Sequence, residues 1–237
     1  MKTILITGAV KRGGAAIARR VHQRGYRVIL NCRSSSMADA EILHGELNAI
    51  RAESAIIWSQ ELHQDMASPP LIDSITGIVT NASSYVNSDI DTFTERLEED
   101  MQSHVAGHLQ LIRLCKDALT RNNGAIVAIT DIHVNRASKG YLTYQIAKGG
   151  LDSAVRALAI DLAPHVRVNA VAPGTLAWPS SNSISAERKS KILESTPLGR
   201  IGSFDEMAAA VEFLMFDATF TTGATLTVDG GRSSFLE

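Results

Sequence analysis

The chain has 237 residues, of which 45% are hydrophobic and 20% are charged, as is typical of a soluble globular protein. A formal net charge of −2 gives no electrostatic reason to expect binding to nucleic acid or an anionic membrane. The apolar run at the start of the chain is too short for a signal peptide, and no segment is long enough to span a membrane. We therefore expect a cytoplasmic protein whose two cysteines, Cys32 and Cys115, are reduced and packed in the core.

Short β-branched runs alternate with longer helical stretches along the whole chain, without repeats or linkers. Strands are predicted at 3–7, 27–31, 55–58, 77–81, 125–130, 167–172 and 225–228, and helices at 14–24, 37–50, 94–121, 142–163, 186–193 and 204–217. This alternation predicts one doubly wound Rossmann-type α/β domain over residues 1–237, with a seven-stranded parallel sheet and helices on both faces.

The crossover between the third and fourth predicted strands is unusually short. Pro69 and Pro70 interrupt any helix there, so we expect a very short helix or none.

A glycine turn follows the first strand and contains Gly8, Lys11, Arg12 and Gly14. Glycines at a strand-to-helix turn allow close approach of a pyrophosphate, which the helix N-terminus can then bind. A tight connection without a ligand is the alternative interpretation of the turn.

The second strand is followed by Arg33 and Ser34 and by no carboxylate that could bind the 2′-hydroxyl of NAD. With Lys11, these residues favour the 2′-phosphate of NADPH. A solvated basic loop is the alternative interpretation.

Tyr144 and Lys148 lie four residues apart on one face of a predicted helix. An ammonium beside a phenol would lower the pKa of the phenol and make it a usable proton donor or acceptor. Asp131 follows the fifth strand, where open α/β sheets carry their active sites. A simple capping role is the alternative for Asp131.

Together these segments resemble the short-chain dehydrogenase/reductase family over nearly the whole chain. The resemblance includes the glycine turn, Asn81-Ala82, Tyr144-x-x-x-Lys148, the segment around Pro173-Gly174, and Asp229-Gly230-Gly231 near the end. It implies that the cofactor contacts are Gly8, Lys11, Arg12, Gly14, Arg33, Ser34, Glu61, Leu62, Asn81, Ala82, Ser83, Tyr144, Lys148, Pro173 and Gly174.

Within that family the chain looks most like pteridine reductases, including dihydromonapterin reductases. The resemblance rests on Arg12 in the glycine turn, Ser83 after Asn81-Ala82, and Asp131 in place of the usual catalytic serine. It implies catalysis by Asp131, Tyr144 and Lys148, and substrate contacts by Arg12, Ser83, Tyr85, Asp131, Tyr144 and Trp178. Tyr85 would stack on the pterin, although a surface or interface role is nearly as well supported.

His104 stands where the family usually carries an asparagine, which puts the family's water relay behind the lysine in doubt. Since His104 and His108 have helical i, i+4 spacing without a carboxylate motif nearby, we expect packed or solvated histidines and no metal site.

The resemblance implies an NADPH-dependent reductase of a dihydropterin, of the dihydromonapterin or dihydrobiopterin type. One alternative is a 3-oxoacyl thioester or other carbonyl reductase. Another is a non-catalytic NADP(H)-sensing module. The family also implies a homotetramer or dimer built on the helices at 94–121 and 142–163.

Overall fold

The structure is a computed structural model, and it describes residues 1–62, 65–178 and 184–234. Seven strands form one parallel sheet in the order β3-β2-β1-β4-β5-β6-β7. They are β1 (Thr3–Ile6), β2 (Arg27–Cys32), β3 (Ala55–Ser59), β4 (Ile75–Thr80), β5 (Ala125–Ile129), β6 (Arg167–Pro173) and β7 (Thr225–Val228). The predicted seven-stranded Rossmann-type fold is confirmed, and most strand boundaries differ by only one or two residues.

Helices cover both faces of the sheet. They are α1 (Arg12–Gln23), α2 (Met37–Ile50), α3 (Phe93–Met101), α4 (Gly107–Arg121), α5 (Leu142–Asp161), α6 (Ala186–Glu194) and α7 (Phe204–Glu212). Alternate residues of β1 point to opposite faces: Ile4 and Ile6 pack with α1, α2 and α7, whereas Leu5 packs with α4 and α5. The sheet is therefore buried on both sides, which explains its continuous apolar strands.

Two of the predicted helices are wrong in their continuity. A π-helical turn, Gln102–Ala106, separates α3 from α4, and another, Phe213–Asp217, follows α7. Gly107, directly after the first turn, lies so close to Leu62 that an added Cβ would be 2.6 Å from the Leu62 carbonyl oxygen. One extra residue per turn barely alters an apolar period, so the sequence pattern does not reveal it.

The short crossover between β3 and β4 is confirmed. Among its described residues the regular structure is a 3₁₀ turn, Ile72–Ser74. Met66 and the partly buried Leu62 pack on the sheet core there, where a longer crossover would place a helix. The chain thus covers that part of the sheet with individual side chains.

The free cysteines, Cys32 and Cys115, are both buried, as expected. In the described part of the chain, no helix is long and apolar enough to cross a membrane. All strands run in one direction, so the segments after β1, β2, β4, β5 and β6 meet along one edge of the sheet. We call this edge the carboxyl edge.

Candidate active site

Asp131, Tyr144 and Lys148 meet at the carboxyl edge. Asp131 follows β5, and the other two side chains lie one turn apart on α5. The Tyr144 hydroxyl donates to Oδ2 of Asp131 at 2.7 Å, and Lys148 Nζ donates to the Ile129 carbonyl oxygen at 2.7 Å. Tyr144 and Lys148 are only 5% and 2% exposed. The structure therefore brings the three predicted catalytic residues together.

His133 fixes the orientation of Asp131. The backbone N–H of His133 donates to Asp131 Oδ1 at 2.8 Å, and His133 Nδ1 lies 2.5 Å from the same oxygen. Asp131 is the N-cap of the 3₁₀ turn Ile132–Val134, so the predicted capping role exists alongside the contact with Tyr144. One carboxylate oxygen is held by the turn, and the other faces the phenol.

The pKa of Tyr144 is raised, whereas the sequence predicted a lowered one, and Lys148 is not among the main causes of the shift. Burial and the neighbouring negative charge of Asp131 raise the pKa of Tyr144 well above its ordinary value. Burial also disfavours charge on Asp131, but hydrogen bonds from His133 and Tyr144 outweigh that effect and lower its pKa. The proton therefore rests on the phenol and the negative charge on the carboxylate.

Lys148 is almost completely buried, and this burial shifts its own pKa. Burial lowers the pKa of Lys148 to about 8, against the opposite influence of Asp131. Its ammonium lies 5.8 Å from the centre of the Tyr144 ring. Because the ammonium donates to the strand carbonyl and does not contact the phenol oxygen, its effect on Tyr144 is weaker than that of Asp131.

Aromatic rings flank the Tyr144 side chain. Tyr85 stacks on Tyr141 with ring centres 4.1 Å apart, and it meets Tyr144 edge-on at 4.8 Å. Tyr85 is still 52% exposed, so one part of the ring remains accessible. The structure places Tyr85 beside the candidate catalytic residues, and its role in binding stays a prediction.

His104 is buried behind Ser83 in the π-helical turn. Its Nδ1 lies 2.8 Å from the Asp100 carbonyl oxygen, so we assign the ring proton to Nδ1. Nε2 is then the acceptor for the Ser84 backbone N–H at 3.2 Å and for the Ser83 hydroxyl at 2.9 Å. Burial first, and then Lys148, lower the pKa of His104 to about 4. It is a neutral residue that orients the segment after β4.

His108, one helical turn after His104, also helps to orient the segment after β4, through Thr7. Nδ1 lies 3.0 Å from the His104 carbonyl oxygen, and Nε2 lies 3.1 Å from the Thr7 hydroxyl. That hydroxyl accepts the backbone N–H groups of Asn81 and Ala82. The two histidines are thus packed, as expected, and no metal-binding group of side chains occurs among the described residues.

Asp100 lies at the base of the site and is completely buried. Its carboxylate accepts hydrogen bonds from Thr143 at 2.6 Å, Arg96 at 3.2 Å and Ser84 at 3.3 Å. Thr143 precedes Tyr144, so this carboxylate joins the segment after β4 to the first turn of α5.

The glycine turn is held by Asn81. Its Nδ2 donates to the carbonyl oxygens of Thr7 and Gly8, both at 3.0 Å. A Cβ on Gly14 would lie 2.0 Å from the Gly8 carbonyl oxygen, which requires glycine there. Arg12 has a φ of +48°, a conformation that favours glycine, although the sequence provides arginine.

The charged side chains of the turn point outward. Lys11 forms an exposed ion pair with Asp39 at 2.8 Å, and the guanidinium of Arg12 lies 5.3 Å over the Phe204 ring. Arg12 therefore packs against α7 in this structure, and its predicted contact with a substrate stays a prediction.

The remaining predicted contacts are distributed along the carboxyl edge. Arg33 and Ser34 are exposed after β2, and Glu61 is exposed after β3. The backbone N–H of Gly174, after Pro173, donates to the carbonyl oxygen of Val228 at 3.0 Å. Trp178 has Lys189 over its ring at 5.7 Å. Residues 179–183 of the predicted substrate loop lie outside the described residues.

Sequence reasoning missed His133, Asp100 and Tyr141. The Asp131-x-His133 spacing could have indicated a side chain that closes back on its own turn. No local signal places Asp100 or Tyr141 in the site, because the contacts of Asp100 with Thr143 and of Tyr141 with Tyr85 join residues that are distant in sequence.

Comparison with known proteins agrees with this architecture. Residues 8–233 match the family described as enoyl-(acyl carrier protein) reductase. An uncharacterized oxidoreductase of Bacillus subtilis is 33% identical over 97% of this chain and 98% of its own length. A 3-oxoacyl-[acyl-carrier-protein] reductase of Synechocystis is 31% identical over 98% and 96%, and L-fucose dehydrogenase of Mus musculus is 30% identical over 97% and 88%.

The chain belongs to the short-chain dehydrogenase/reductase family of oxidoreductases. Family membership gives the reaction class, which is oxidation–reduction, and the dependence on NAD(P)H. The relatives include both uncharacterized oxidoreductases and 3-oxoacyl reductases.

Proposed function

We propose that this protein is an NADPH-dependent pteridine reductase that converts a dihydropterin of the dihydromonapterin or dihydrobiopterin type to its tetrahydro form. The observation that carries the proposal is the Asp131–Tyr144 hydrogen bond of 2.7 Å. An ionised carboxylate only accepts hydrogen bonds, and it stands beside the candidate proton donor. Such an acceptor suits the amino-pyrimidine edge of a pterin, which presents N–H donors.

Reduction of a ring C=N bond adds a hydride to carbon and a proton to nitrogen. NADPH, when bound, supplies the hydride. Tyr144 holds the proton in the resting site, and Asp131 is placed to share it or to hold the substrate's N–H groups. Lys148 would bind the nicotinamide ribose, and Ser83 and Tyr85 would contact the pterin.

The residues at the glycine turn fit a dinucleotide. Lys11, the N-cap of α1, makes no side-chain hydrogen bond to the first turn, and that turn contains no acidic residue. The first amides of α1 therefore remain suited to a pyrophosphate. The preference for NADPH over NADH rests on Arg33 and Ser34, with Lys11 available only in competition with Asp39.

A 3-oxoacyl reductase is the second candidate, because 3-oxoacyl reductases with about 30% identity are among the relatives. A substrate carbonyl oxygen needs hydrogen-bond donors. Here Tyr144 already donates to Asp131, whose charge would repel the developing oxyanion. The site geometry therefore favours the pterin.

Steady-state oxidation of NADPH and of NADH with four substrates separates the candidates. The substrates are dihydrobiopterin, dihydromonapterin, dihydrofolate and an acetoacetyl thioester. We expect turnover of the dihydropterins with NADPH. Turnover of the thioester alone would refute the proposal, and NADPH binding without any turnover would favour the sensing module.

We also propose a homotetramer or dimer in which α5 packs against a second copy. Ile146 and Ile160 on this helix are 45% and 77% exposed, and a Cβ on Gly149 would meet open space. An apolar face with small residues suits close helix packing. Light scattering of the protein and of Ile160→Glu tests this, and a monomeric wild-type protein would overturn it.

A further inference from the structure

Arg232, in the segment after β7, is bonded to the segments that follow β5 and β6. The guanidinium of Arg136 donates to the Arg232 carbonyl oxygen, and Arg232 Nη1 donates to the Thr175 hydroxyl at 2.9 Å. Arg136 follows the turn that Asp131 caps, and Thr175 follows β6. Because β6 lies between β5 and β7, the contact between the two arginines spans the segment that contains Thr175. One residue thus joins three neighbouring segments of the carboxyl edge.

The turn after β7 fixes the backbone position of Arg232. Gly230 and Gly231 have φ values of +66° and +88°, a conformation that favours glycine. The Asp229 carboxylate accepts the backbone N–H groups of Gly231 at 2.9 Å and of Ser233 at 2.6 Å. These bonds hold the chain on both sides of Arg232, so the position of its carbonyl oxygen does not depend on its own side chain.

Thr175 lies at the start of the predicted substrate loop, where the β6 strand has ended. The Thr175 carbonyl oxygen accepts the backbone N–H of Gly202 at 2.9 Å, and its hydroxyl accepts from Arg232. Among the residues that the structure describes, Arg232 Nε is buried and has no hydrogen-bond partner. The bond to Thr175 is therefore the one that orients this guanidinium.

We infer that Arg232 is a positioning residue, which holds the first residue of the substrate loop at a fixed distance from the turn that carries Asp131. Asp131 itself is bonded to His133 and Tyr144, so Arg232 acts on the site through Arg136 and Thr175. A substrate that contacts both segments binds more tightly when their separation is fixed in advance. The inference rests on the reductase reaction of the family and is independent of whether the substrate is a pterin.

The test measures KM and kcat for Arg232→Met, Thr175→Val and the double variant. Each single change removes the same hydrogen bond, and Arg232→Met keeps the carbonyl oxygen that accepts from Arg136. We expect KM to rise about tenfold in each single variant, which corresponds to the loss of one hydrogen bond from a charged group, with kcat nearly unchanged. The double variant should be no worse than the more severe single one, because both changes break one interaction.

Conservative variants and a distant arginine provide the controls. Thr175→Ser keeps the hydroxyl that accepts from Arg232 and should retain the wild-type KM. Arg232→Lys keeps a cationic donor and should restore part of the loss seen in Arg232→Met. Arg121→Met removes an arginine that pairs with Asp73 at the opposite edge of the sheet, and it should change neither constant.

Hydrogen exchange provides a measurement that does not require turnover. The amide of Gly202 donates to Thr175, so its exchange should be faster in Arg232→Met and Thr175→Val than in Thr175→Ser. If the acetoacetyl thioester is reduced and the dihydropterins are not, the proposed function fails, and the same comparison of KM with the thioester still tests Arg232. The positioning role is overturned if the two single changes add fully in the double variant, or if they lower kcat and stability without raising KM. In the absence of any turnover, unchanged exchange at Gly202 would overturn it.

Discussion

The hydroxyl of Tyr144 donates its hydrogen bond to Asp131 across 2.7 Å, while the ammonium of Lys148 donates to the carbonyl oxygen of Ile129. The proton donor of the site is therefore coupled to an anion, and its pKa is raised. If Tyr144 transfers this proton to a substrate, the negative charge of the Asp131–Tyr144 pair increases.

Tyr144→Phe should lower kcat by about 10²–10⁴-fold, the usual contribution of a positioned proton donor. The ring is retained, so its contacts with Tyr85 and His104 remain and the fold should be preserved. NADPH affinity, measured by fluorescence titration, should change little. Unchanged turnover would exclude the proton-transfer role.

Asp131→Ser should lower turnover of dihydropterins and improve any turnover of acetoacetyl thioesters. A serine hydroxyl can donate to a carbonyl oxygen, whereas the carboxylate cannot. The measurement is the ratio of the two kcat/KM values. Ser74→Ala is the control: it removes a hydroxyl before β4, at the opposite edge of the sheet, and leaves the carboxylate in place, so it should not shift the ratio toward the thioester. An undiminished pterin preference in Asp131→Ser would remove the main support for the proposed function.

The pH dependence of kcat/KM should show a basic limb near pH 8. Burial lowers the pKa of Lys148 to about 8 from 10.5, so the ammonium that would bind the ribose is present below that pH and lost above it. Because Asp131 raises the pKa of Lys148, Asp131→Asn should move the limb to lower pH. A limb that stays in place in this variant would show that another group titrates.

Asp100→Asn should destabilise the protein by roughly 2 kcal/mol and lower kcat while NADPH affinity is retained. The change weakens hydrogen bonds from Thr143 and Ser84, which position Tyr144 and the segment after β4. Denaturant unfolding and single-turnover rates measure the two effects. Glu99→Gln removes the exposed partner of Arg96 and should alter neither. If both variants behave alike, the positioning role is wrong.

Gly14→Ala should destabilise the fold by about 1–3 kcal/mol and weaken NADPH binding, because the new Cβ would displace the Gly8 carbonyl oxygen. Gly45→Ala is the control: a Cβ there meets open space in the middle of α2, so it should stabilise by about 0.5–1 kcal/mol. Thermal unfolding of both variants checks the contrast. Equal stability of the two would show that the turn adjusts at no cost.

Sequence periodicity predicted the sheet, the helices that cover it, and the clustering of Asp131, Tyr144 and Lys148. Those predictions succeeded because parallel strands end at a common edge and helical spacing places residues four apart on one face. It did not predict the π-helical turn at Gln102–Ala106, since one additional residue hardly alters an apolar pattern. Periodicity also could not predict the direction in which the pKa of Tyr144 shifts. That direction depends on burial and on which of the two neighbouring charged groups, Asp131 or Lys148, lies at hydrogen-bond distance from the hydroxyl.

The sequence by itself therefore determined the family, the Rossmann-type sheet and the residue types available for proton transfer. Tertiary structure alone decided that Tyr144 pairs with Asp131, and that Asp100 and the two buried histidines support that pair. Spacing along a chain fixes which residues share an element. Distances between elements depend on how the sheet and helices pack, and electrostatic interactions at a site depend on those distances and on burial.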